Sequence, residues 1–78
     1  MYKYMEKRIL EIINFIRESK DLKPLEQIKG TDDLRDQIGF TSFDLAELTV
    51  RIEDEFDIDI FEDGLVTTIG EIYAKLNK

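Results

Sequence analysis

The sequence predicts an all-α fold, a small four-helix bundle with three main helices, one short helix and a long loop between helices 1 and 2. Apolar residues recur every three or four positions in two long stretches, which is the period of a helix with one buried face. A capping signal opens a third such stretch near the carboxyl end. The one alternating stretch, residues 57–60, has no second strand with which to pair. With 78 residues, positions 1–78 form a single domain.

The first predicted helix has an apolar stripe along one side. The stripe consists of Met5, Ile9, Ile12, Ile13 and Ile16. Lys7 and Arg17 fall mostly on the other side of the helix. Residues 19–21 and then Pro24 end it, because proline cannot continue the hydrogen-bond ladder of a helix.

The connection over residues 20–41 is much longer than the usual loop of about four to six residues. It is neither Gly/Ser-rich nor Pro-rich, so it does not have the composition of a flexible linker. Apolar residues recur along it at Leu22, Leu25, Ile28, Leu34 and Ile38. We expect these residues to pin the connection across the bundle, with a turn of helix at residues 32–36.

The second predicted helix follows Gly39 and Phe40. Either Thr41 or Ser42 is its N-cap, and Asp44 lies in the first turn, where the helix dipole favours a negative charge. The core face of this helix consists of Leu45, Leu48, Ile52 and Phe56.

The second helix is predicted to end at Asp57. A connecting segment follows, and its short helical turn at residues 62–65 is the fourth helix of the bundle. Thr68 and Glu71 have the spacing of a capping box, which opens the last helix. The apolar side of that helix consists of Ile69, Ile72, Tyr73 and Leu76.

The net charge of −7 excludes several classes of function. Residues 1–30 hold seven basic and five acidic residues, whereas residues 31–78 hold four basic and thirteen acidic ones. This balance argues against nucleic acid as a partner, because nucleic-acid binding depends on cationic contacts to phosphate. The lack of cysteine and histidine excludes disulfide scaffolds, zinc fingers and histidine-activated nucleophiles. No apolar run is long enough to span a membrane, so we expect a cytoplasmic protein with no membrane partner.

The acidic residues are densest at positions 44–63, where nine acids are opposed only by Arg51. Repulsion among charges at this density lowers the stability of a small domain. Two interpretations are open at this point. The acids form either a solubilising surface or an electrostatic docking face for basic partners.

The second helix also has apolar residues on the side opposite its core face. Three apolar residues cluster there with three flanking acids: Phe43, Ala46 and Val50, with Glu47, Glu53 and Asp54. Single exposed apolar residues are ordinary. An apolar centre with a charged rim is also the usual composition of a binding surface, and we interpret the helix as a docking element.

No catalytic or metal site is predicted. Acid–base catalysis needs carboxylates in a pocket with shifted pKa values, and we expect these acids to be solvated. An EF-hand starting at Asp57 fails because Phe61 takes the fifth position and Glu62 the sixth, where glycine is required. Ser42 has no base to activate it. It is therefore an N-cap, or a residue modified by another enzyme, since the start of a helix favours an attached phosphate.

The order of these features resembles the acyl carrier protein family along nearly the whole chain. That family has a serine, usually within Gly-x-Asp-Ser-Leu, at the start of an acidic second helix, and the corresponding stretch here is Gly39-Phe40-Thr41-Ser42-Phe43-Asp44. Residues 52–60 resemble the family signature LEEEFxxxI. The threonine pair before the last helix is similar to Thr67-Thr68-Ile69.

The resemblance implies a carrier, not an enzyme. Ser42 would be the attachment point of 4′-phosphopantetheine, which a phosphopantetheinyl transferase transfers from coenzyme A. The arm would carry acyl intermediates as thioesters between partner enzymes in fatty-acid, polyketide or related biosynthesis. These acyl- or aminoacyl-loading and synthase enzymes would bring basic docking surfaces to a monomeric carrier. The implied partner-binding residues are Phe43, Asp44, Ala46, Glu47, Val50, Glu53 and Asp54.

The sequence departs from the family pattern at three positions near the surface that transferases and synthases read. Thr41 stands where Asp is usual, Phe43 where Leu is usual, and Phe61 where proline is common. A stand-alone aminoacyl or peptidyl carrier is therefore an alternative. A hypothesis of another class is a small acidic adaptor that binds a basic surface without covalent modification.

Overall fold

Three helices and two long connections make up the computed structural model, which describes residues 3–77. Helix α1 spans Lys3–Ser19, α2 spans Ser42–Phe56 and α3 spans Ile69–Leu76. Apart from one isolated bridge, the regular structure in this part of the chain is helical, which confirms the predicted all-α class. No helix among the described residues has the length and apolar character of a membrane span.

The predicted short fourth helix is not confirmed, because residues 59–64 form two successive turns instead. Glu62 N donates to Asp59 O, and Gly64 N donates to Phe61 O, both at 3.2 Å. These hydrogen bonds span three residues rather than the four of an α-helix. Gly64 also has a φ of 131°, which lies outside the right-handed helical region and ends any helical continuation.

The core lies between the three helices and consists mainly of isoleucine and leucine. Both connections contribute to it as well as the helices. Its fully buried members are Ile9, Ile13, Ile16, Leu34, Ile38, Leu48, Ile52, Ile60, Ile69 and Ile72. Each such side chain contributes about 1.5–3 kcal/mol by its removal from water. The predicted apolar face of every helix is therefore confirmed as its packing face.

The connection between α1 and α2 packs against the start of α3. Leu34 N donates to Thr67 O at 2.8 Å, and Gly70 N donates to Gly30 O at 2.8 Å. At Gly70 the two backbones come so close that a Cβ atom would lie 3.0 Å from Gly30 O. Glycine at this position thus allows the connection to cross the first turn of α3.

Four of the five predicted apolar anchors of this connection pack as expected. Leu34 and Ile38 are fully buried, and Leu25 and Ile28 pack against the edge of the core. Leu22 is only half-buried and lies outside the core, so its prediction as an anchor is only partly confirmed. The connection as a whole is held by side-chain burial and does not behave as a free linker.

An ion pair joins α1 to α2. Arg8 donates from Nε and Nη2 to the two carboxylate oxygens of Glu55, both at 2.5 Å. Tyr4 Oη donates to the same carboxylate at 3.0 Å. The hydrogen bonds from Arg8, supported by that from Tyr4, hold the pKa of the Glu55 carboxyl below its usual value. This network fixes the carboxyl-terminal part of α2 relative to α1.

Candidate functional site

Ser42 is the first residue of α2, and its side chain is exposed to solvent. The preceding residue, Thr41, is the N-cap, with an extended backbone at φ −88° and ψ 178°. Its Oγ1 accepts a hydrogen bond from Asp44 N at 3.3 Å, and its N–H donates to Asp44 Oδ2 at 2.8 Å. This capping box decides between the two predicted caps in favour of Thr41. The Ser42 hydroxyl takes no part in capping the helix.

A turn at Gly39 and Phe40 leads the chain to Ser42. Glycine allows the backbone conformation of this turn, and the buried ring of Phe40 holds it in place. Gly39 has a φ of 85°, in the left-handed region that favours glycine. Phe40 is only 3% exposed, and its N–H donates to Leu34 O at 2.9 Å. The start of α2 is therefore anchored to the core immediately before the cap.

Lys20, the residue after α1, holds the same turn from the other side. Its Nζ donates to Gly39 O at 3.0 Å and to Asp44 Oδ2 at 2.5 Å. Burial alone would raise the pKa of Asp44, but the hydrogen bonds from Lys20 and Thr41 outweigh it and leave that pKa below its ordinary value. The Asp44 side chain is only 13% exposed. Unlike the other predicted partner-binding residues, Asp44 is directed into its own domain, where it positions the turn before Ser42.

The structure predicts a pH-dependent effect of Asp44→Asn. A carboxyl whose folded-state pKa is lowered stabilises the fold above its unfolded pKa, and this contribution is lost as the pH falls through the folded pKa. The substitution is expected to cost about 1–2 kcal/mol at about pH 7, through loss of the charge-assisted bonds to Lys20 and Thr41. The cost should decrease as the pH falls below the unfolded-state pKa of about 3.9, and it should be smaller at about pH 2 than at about pH 7, because the carboxyl of the folded protein protonates on the way down.

Denaturant unfolding of wild type and Asp44→Asn at both pH values measures this difference. Asp36→Asn, which changes an exposed aspartate in the preceding connection, is the matched control. Its free energy of unfolding should equal that of wild type at both pH values. If Asp44→Asn lowered the free energy of unfolding by the same amount at both pH values, this would contradict the role assigned to the ionised carboxylate.

Arg35 is the side chain that contacts Ser42. Its Nη2 donates to Ser42 Oγ at 2.9 Å. A closed turn presents it, in which Asp33 Oδ2 accepts a hydrogen bond from Arg35 N at 2.9 Å and Asp33 O accepts one from Ile38 N at 3.0 Å. The sequence predicted a helical turn at residues 32–36, and the observed turn spans residues 33–38. It brings a cation to the first residue of α2.

Sequence reasoning missed both Lys20 and Arg35. Their contacts span 24 and 7 residues along the chain, and neither separation belongs to a local pattern. One signal was available, since Arg35 is one of only four basic residues between positions 31 and 78. An isolated cation in a strongly acidic segment is a candidate for a specific contact with an anion.

The exposed side of α2 brings the other predicted docking residues together. Phe43 is 89% exposed and Val50 is 59% exposed, at helical spacing with the exposed Ala46. Glu53 and Asp54 are exposed beside them. We define the α2 surface as Phe43, Ala46, Glu47, Val50, Glu53 and Asp54. Its apolar centre and acidic rim match the usual composition of a docking site.

Arg51, the one base opposing the acids of this region, is held at the border of the α2 surface. Its Nε donates to Glu47 Oε2 at 2.9 Å. Its guanidinium also lies 4.2 Å from the centroid of the Phe15 ring on α1. The positive charge is thus engaged within the domain, and the exposed acids remain for solvent or a partner.

Most of the acids at positions 44–63 have no ion-pair partner. Four of the nine, namely Asp44, Glu47, Glu55 and Asp63, pair with a base. The remaining five form no ion pair within residues 3–77: Glu53, Asp54, Asp57, Asp59 and Glu62. Their mutual repulsion favours unfolding, because the charges move apart in the unfolded chain.

Screening this repulsion is expected to stabilise the protein. Raising the salt concentration from about 0.01 M to about 0.5 M shortens the Debye length and should raise the Tm by about 3–6 °C. Thermal unfolding followed by circular dichroism measures the shift. A double variant, Glu53→Gln with Asp54→Asn, carries less repulsion and should respond less to salt. A Tm of the wild type that is constant or falls with salt would contradict the expectation.

The surroundings of Ser42 fit a covalently attached phosphate ester. Its hydroxyl is exposed at the start of a helix, where backbone N–H groups and the helix dipole favour negative charge. The cationic side chain of Arg35 lies 2.9 Å from the hydroxyl oxygen. No group of three acidic, cysteine or histidine side chains is placed to hold a metal ion in the described part of the chain. Fold and site together fit the class of proteins that carry a covalently attached group.

Comparison with protein families identifies the particular family. The model for the phosphopantetheine attachment site matches residues 11–76, and the chain therefore belongs to this family. No solved structure gives a significant match. Domains of this family are not catalytic themselves, and they work with phosphopantetheinyl transferases and partner synthases. The cofactor is 4′-phosphopantetheine, covalently bound, and the predicted membership of a phosphopantetheine-binding carrier family is confirmed.

Proposed function

We propose that this protein is an acyl carrier in which Ser42 holds the phosphopantetheine arm. The observation that supports this most directly is the exposed Ser42 hydroxyl at the start of α2, inside the matched residues 11–76. The hydroxyl of the other serine, Ser19, donates to Ile16 O at 2.6 Å within α1. When bound, the arm supplies a terminal thiol that holds an acyl group as a thioester. The chain has no cysteine, so it offers no competing thiol.

The attachment step is a displacement at phosphorus. Ser42 Oγ attacks the phosphorus of coenzyme A that bears the pantetheine, and an Oγ–P bond forms. The P–O bond to adenosine 3′,5′-bisphosphate breaks, and this leaving group takes the bonding electron pair. The serine proton passes to a base of the transferase, because the side chain that contacts Ser42 Oγ is Arg35, a cation that cannot accept it. The chain contributes an accessible nucleophile in a fixed position.

The α2 surface is the docking site in this proposal. Its exposed Phe43 and Val50 offer apolar contacts, and its unpaired Glu53 and Asp54 attract basic surfaces. The transferase and the acyl- or aminoacyl-loading and synthase enzymes would all approach Ser42 from this side. Electrostatic steering raises the association rate, which suits a carrier that visits several enzymes in turn.

The packing beside Ser42 favours cargo that remains outside the core. Arg35 and Leu45 line a cleft of about 40 Å³ together with Val66. A cleft of this size holds no more than about three water molecules. A short acyl or aminoacyl group needs no change in this packing, whereas a long acyl chain needs the core to open. An aminoacyl or peptidyl carrier therefore remains the alternative to an acyl carrier of fatty-acid, polyketide or related biosynthesis.

Incubation with coenzyme A and a broad-specificity phosphopantetheinyl transferase tests the proposal. Intact-mass measurement should show the addition of one phosphopantetheine group. Offering the product to enzymes that activate either fatty acids or amino acids should then separate the two kinds of carrier. A wild-type protein that stays unmodified with several transferases would overturn the proposal.

A further inference from the structure

We propose that Arg35 binds the phosphodiester of the attached arm and thereby orients the arm at the start of α2. The inference rests on the proposed function, because it concerns the group that Ser42 would carry. The observation that supports it is the hydrogen bond from Arg35 Nη2 to Ser42 Oγ, at 2.9 Å. Once this oxygen is esterified, it is bonded to phosphorus, and the charged phosphate oxygens lie two bonds away from it. The same guanidinium reaches them by a small rotation of its side chain.

Arg35 differs from the other arginines in what it contacts. Arg8 and Arg51 each pair with a glutamate, and Arg17 donates to backbone carbonyl oxygens. Arg35 forms no ion pair within residues 3–77, although the chain has 18 acidic residues. It is directed at the Ser42 hydroxyl instead. Its charge is therefore available to an anion attached there.

The chemistry of the guanidinium suits a phosphodiester. Arginine presents five N–H donors in a planar fork that matches two phosphate oxygens at once, and the bond to Ser42 uses only one of these donors. The attached phosphodiester adds a negative charge to a domain that already has a net charge of −7. A cation at the attachment point offsets this repulsion locally. The nearby Lys20 does not fill this role, because its ammonium is bonded to Gly39 O and Asp44.

The backbone that carries Arg35 is held in place on several sides. Leu34 is 1% exposed, donates from its N–H to Thr67 O and accepts at its carbonyl from Phe40 N. Asp33 Oδ2 accepts from the N–H of Arg35 itself. The fold thus fixes the starting point of the side chain relative to Ser42. A preorganised donor of this kind binds an anion at a smaller entropic cost than a mobile one.

Phosphorus NMR of the loaded protein tests the inference. Wild type, Arg35→Gln, Arg35→Lys and Lys23→Gln are each loaded to completion, as judged by intact mass. Lys23→Gln removes one positive charge from an exposed residue of the same connection and is the matched control. The phosphodiester resonance of Arg35→Gln should shift away from that of wild type, and Arg35→Lys should lie between them. Lys23→Gln should coincide with wild type.

Salt gives the same test without any substitution. Raising the salt concentration to about 1 M should move the wild-type resonance towards that of Arg35→Gln, because salt screens an exposed ion pair. The resonance of Arg35→Gln itself should move less. A merely structural role of Arg35 would change the Tm of Arg35→Gln and leave the phosphorus resonance where it is.

The outcomes separate this inference from the proposed function. Coincident resonances for fully loaded wild type and Arg35→Gln, with no effect of salt on either, would overturn the inference and leave the carrier proposal intact. A wild type that gains no mass would overturn both. A shifted resonance in Arg35→Gln, with Lys23→Gln unchanged, supports the contact between Arg35 and the phosphodiester.

Discussion

Ser42→Ala is expected to abolish the attachment of phosphopantetheine completely while leaving the domain folded. The substitution removes the serine hydroxyl at the start of α2, and the hydroxyl of the other serine in the chain, Ser19, donates to a helix carbonyl. The capping box of α2 uses Thr41 and Asp44, so it survives the change. Alanine is also a good helix former, and the free energy of unfolding should change by less than about 0.5 kcal/mol.

Intact mass after incubation with coenzyme A and transferase measures the attachment, and thermal unfolding checks the fold. Ser19→Ala is the matched control, because it makes the same change at the other serine and should load as wild type does. Full loading of a folded Ser42→Ala variant would show that another hydroxyl carries the arm. Loss of loading together with loss of the fold would instead contradict the exposed, non-capping position of Ser42.

Phe40→Ala is expected to remove much of the stability of the domain, whereas Phe43→Ala should leave it almost unchanged. Phe40 is 3% exposed and Phe43 is 89% exposed. Truncating a buried phenylalanine costs about 3–5 kcal/mol, against about 4–12 kcal/mol for the whole stability of a domain of this length. An exposed substitution costs less than about 0.5 kcal/mol. The two variants thus make the same chemical change on opposite sides of the cap.

For partner binding, in contrast to stability, Phe43→Ala should have the larger effect and Phe40→Ala the smaller one. Phe43→Ala removes the largest apolar side chain of the α2 surface, and kcat/KM of the transferase should fall about tenfold, the equivalent of about 1.4 kcal/mol. Phe40→Ala, assayed at low temperature where it remains folded, should lose less. Equal unfolding free energies for the two variants would contradict the packing of Phe40. An unchanged kcat/KM for Phe43→Ala would remove Phe43 from the docking site.

The helices were predictable because their signals are local in the chain. Thr68 and Glu71 form the capping box that their spacing predicted, and α3 begins at the next residue, Ile69. The second helix ends at Asp57, as predicted, and the structure adds that this residue has a left-handed conformation. Such signals need only residues a few positions apart, so they can be recognised without knowledge of the rest of the fold.

The sequence left a choice open, or predicted wrongly, where local signals compete or are weak. Thr41 and Ser42 are both good N-caps, and only the backbone position after the buried Phe40 assigns the role to Thr41. The predicted helix at residues 62–65 is a pair of turns, because the segment is too short for its own helical bonds to hold it. In both cases the packing of neighbouring segments decided the outcome.

The role of Asp44 in the fold depends on a tertiary contact that the sequence does not reveal. In the sequence it is one acid among nine at positions 44–63, and the resemblance placed it with the partner-binding residues. In the structure its carboxylate binds Lys20, 24 residues earlier in the chain, and its side chain is largely buried. The exposed acids Glu53 and Asp54 keep the predicted position on the α2 surface.

Residue types at fixed short spacings were enough to predict the helical class, most of the helix ends, the serine at the start of an acidic helix and the family. The tertiary structure decided which cations surround that serine. Arg35 and Lys20 reach Ser42 and Asp44 only because the connection of residues 20–41 is folded back and held by buried Leu34 and Ile38. Contacts between distant segments follow from the packing of the whole core, and no spacing along the chain specifies them.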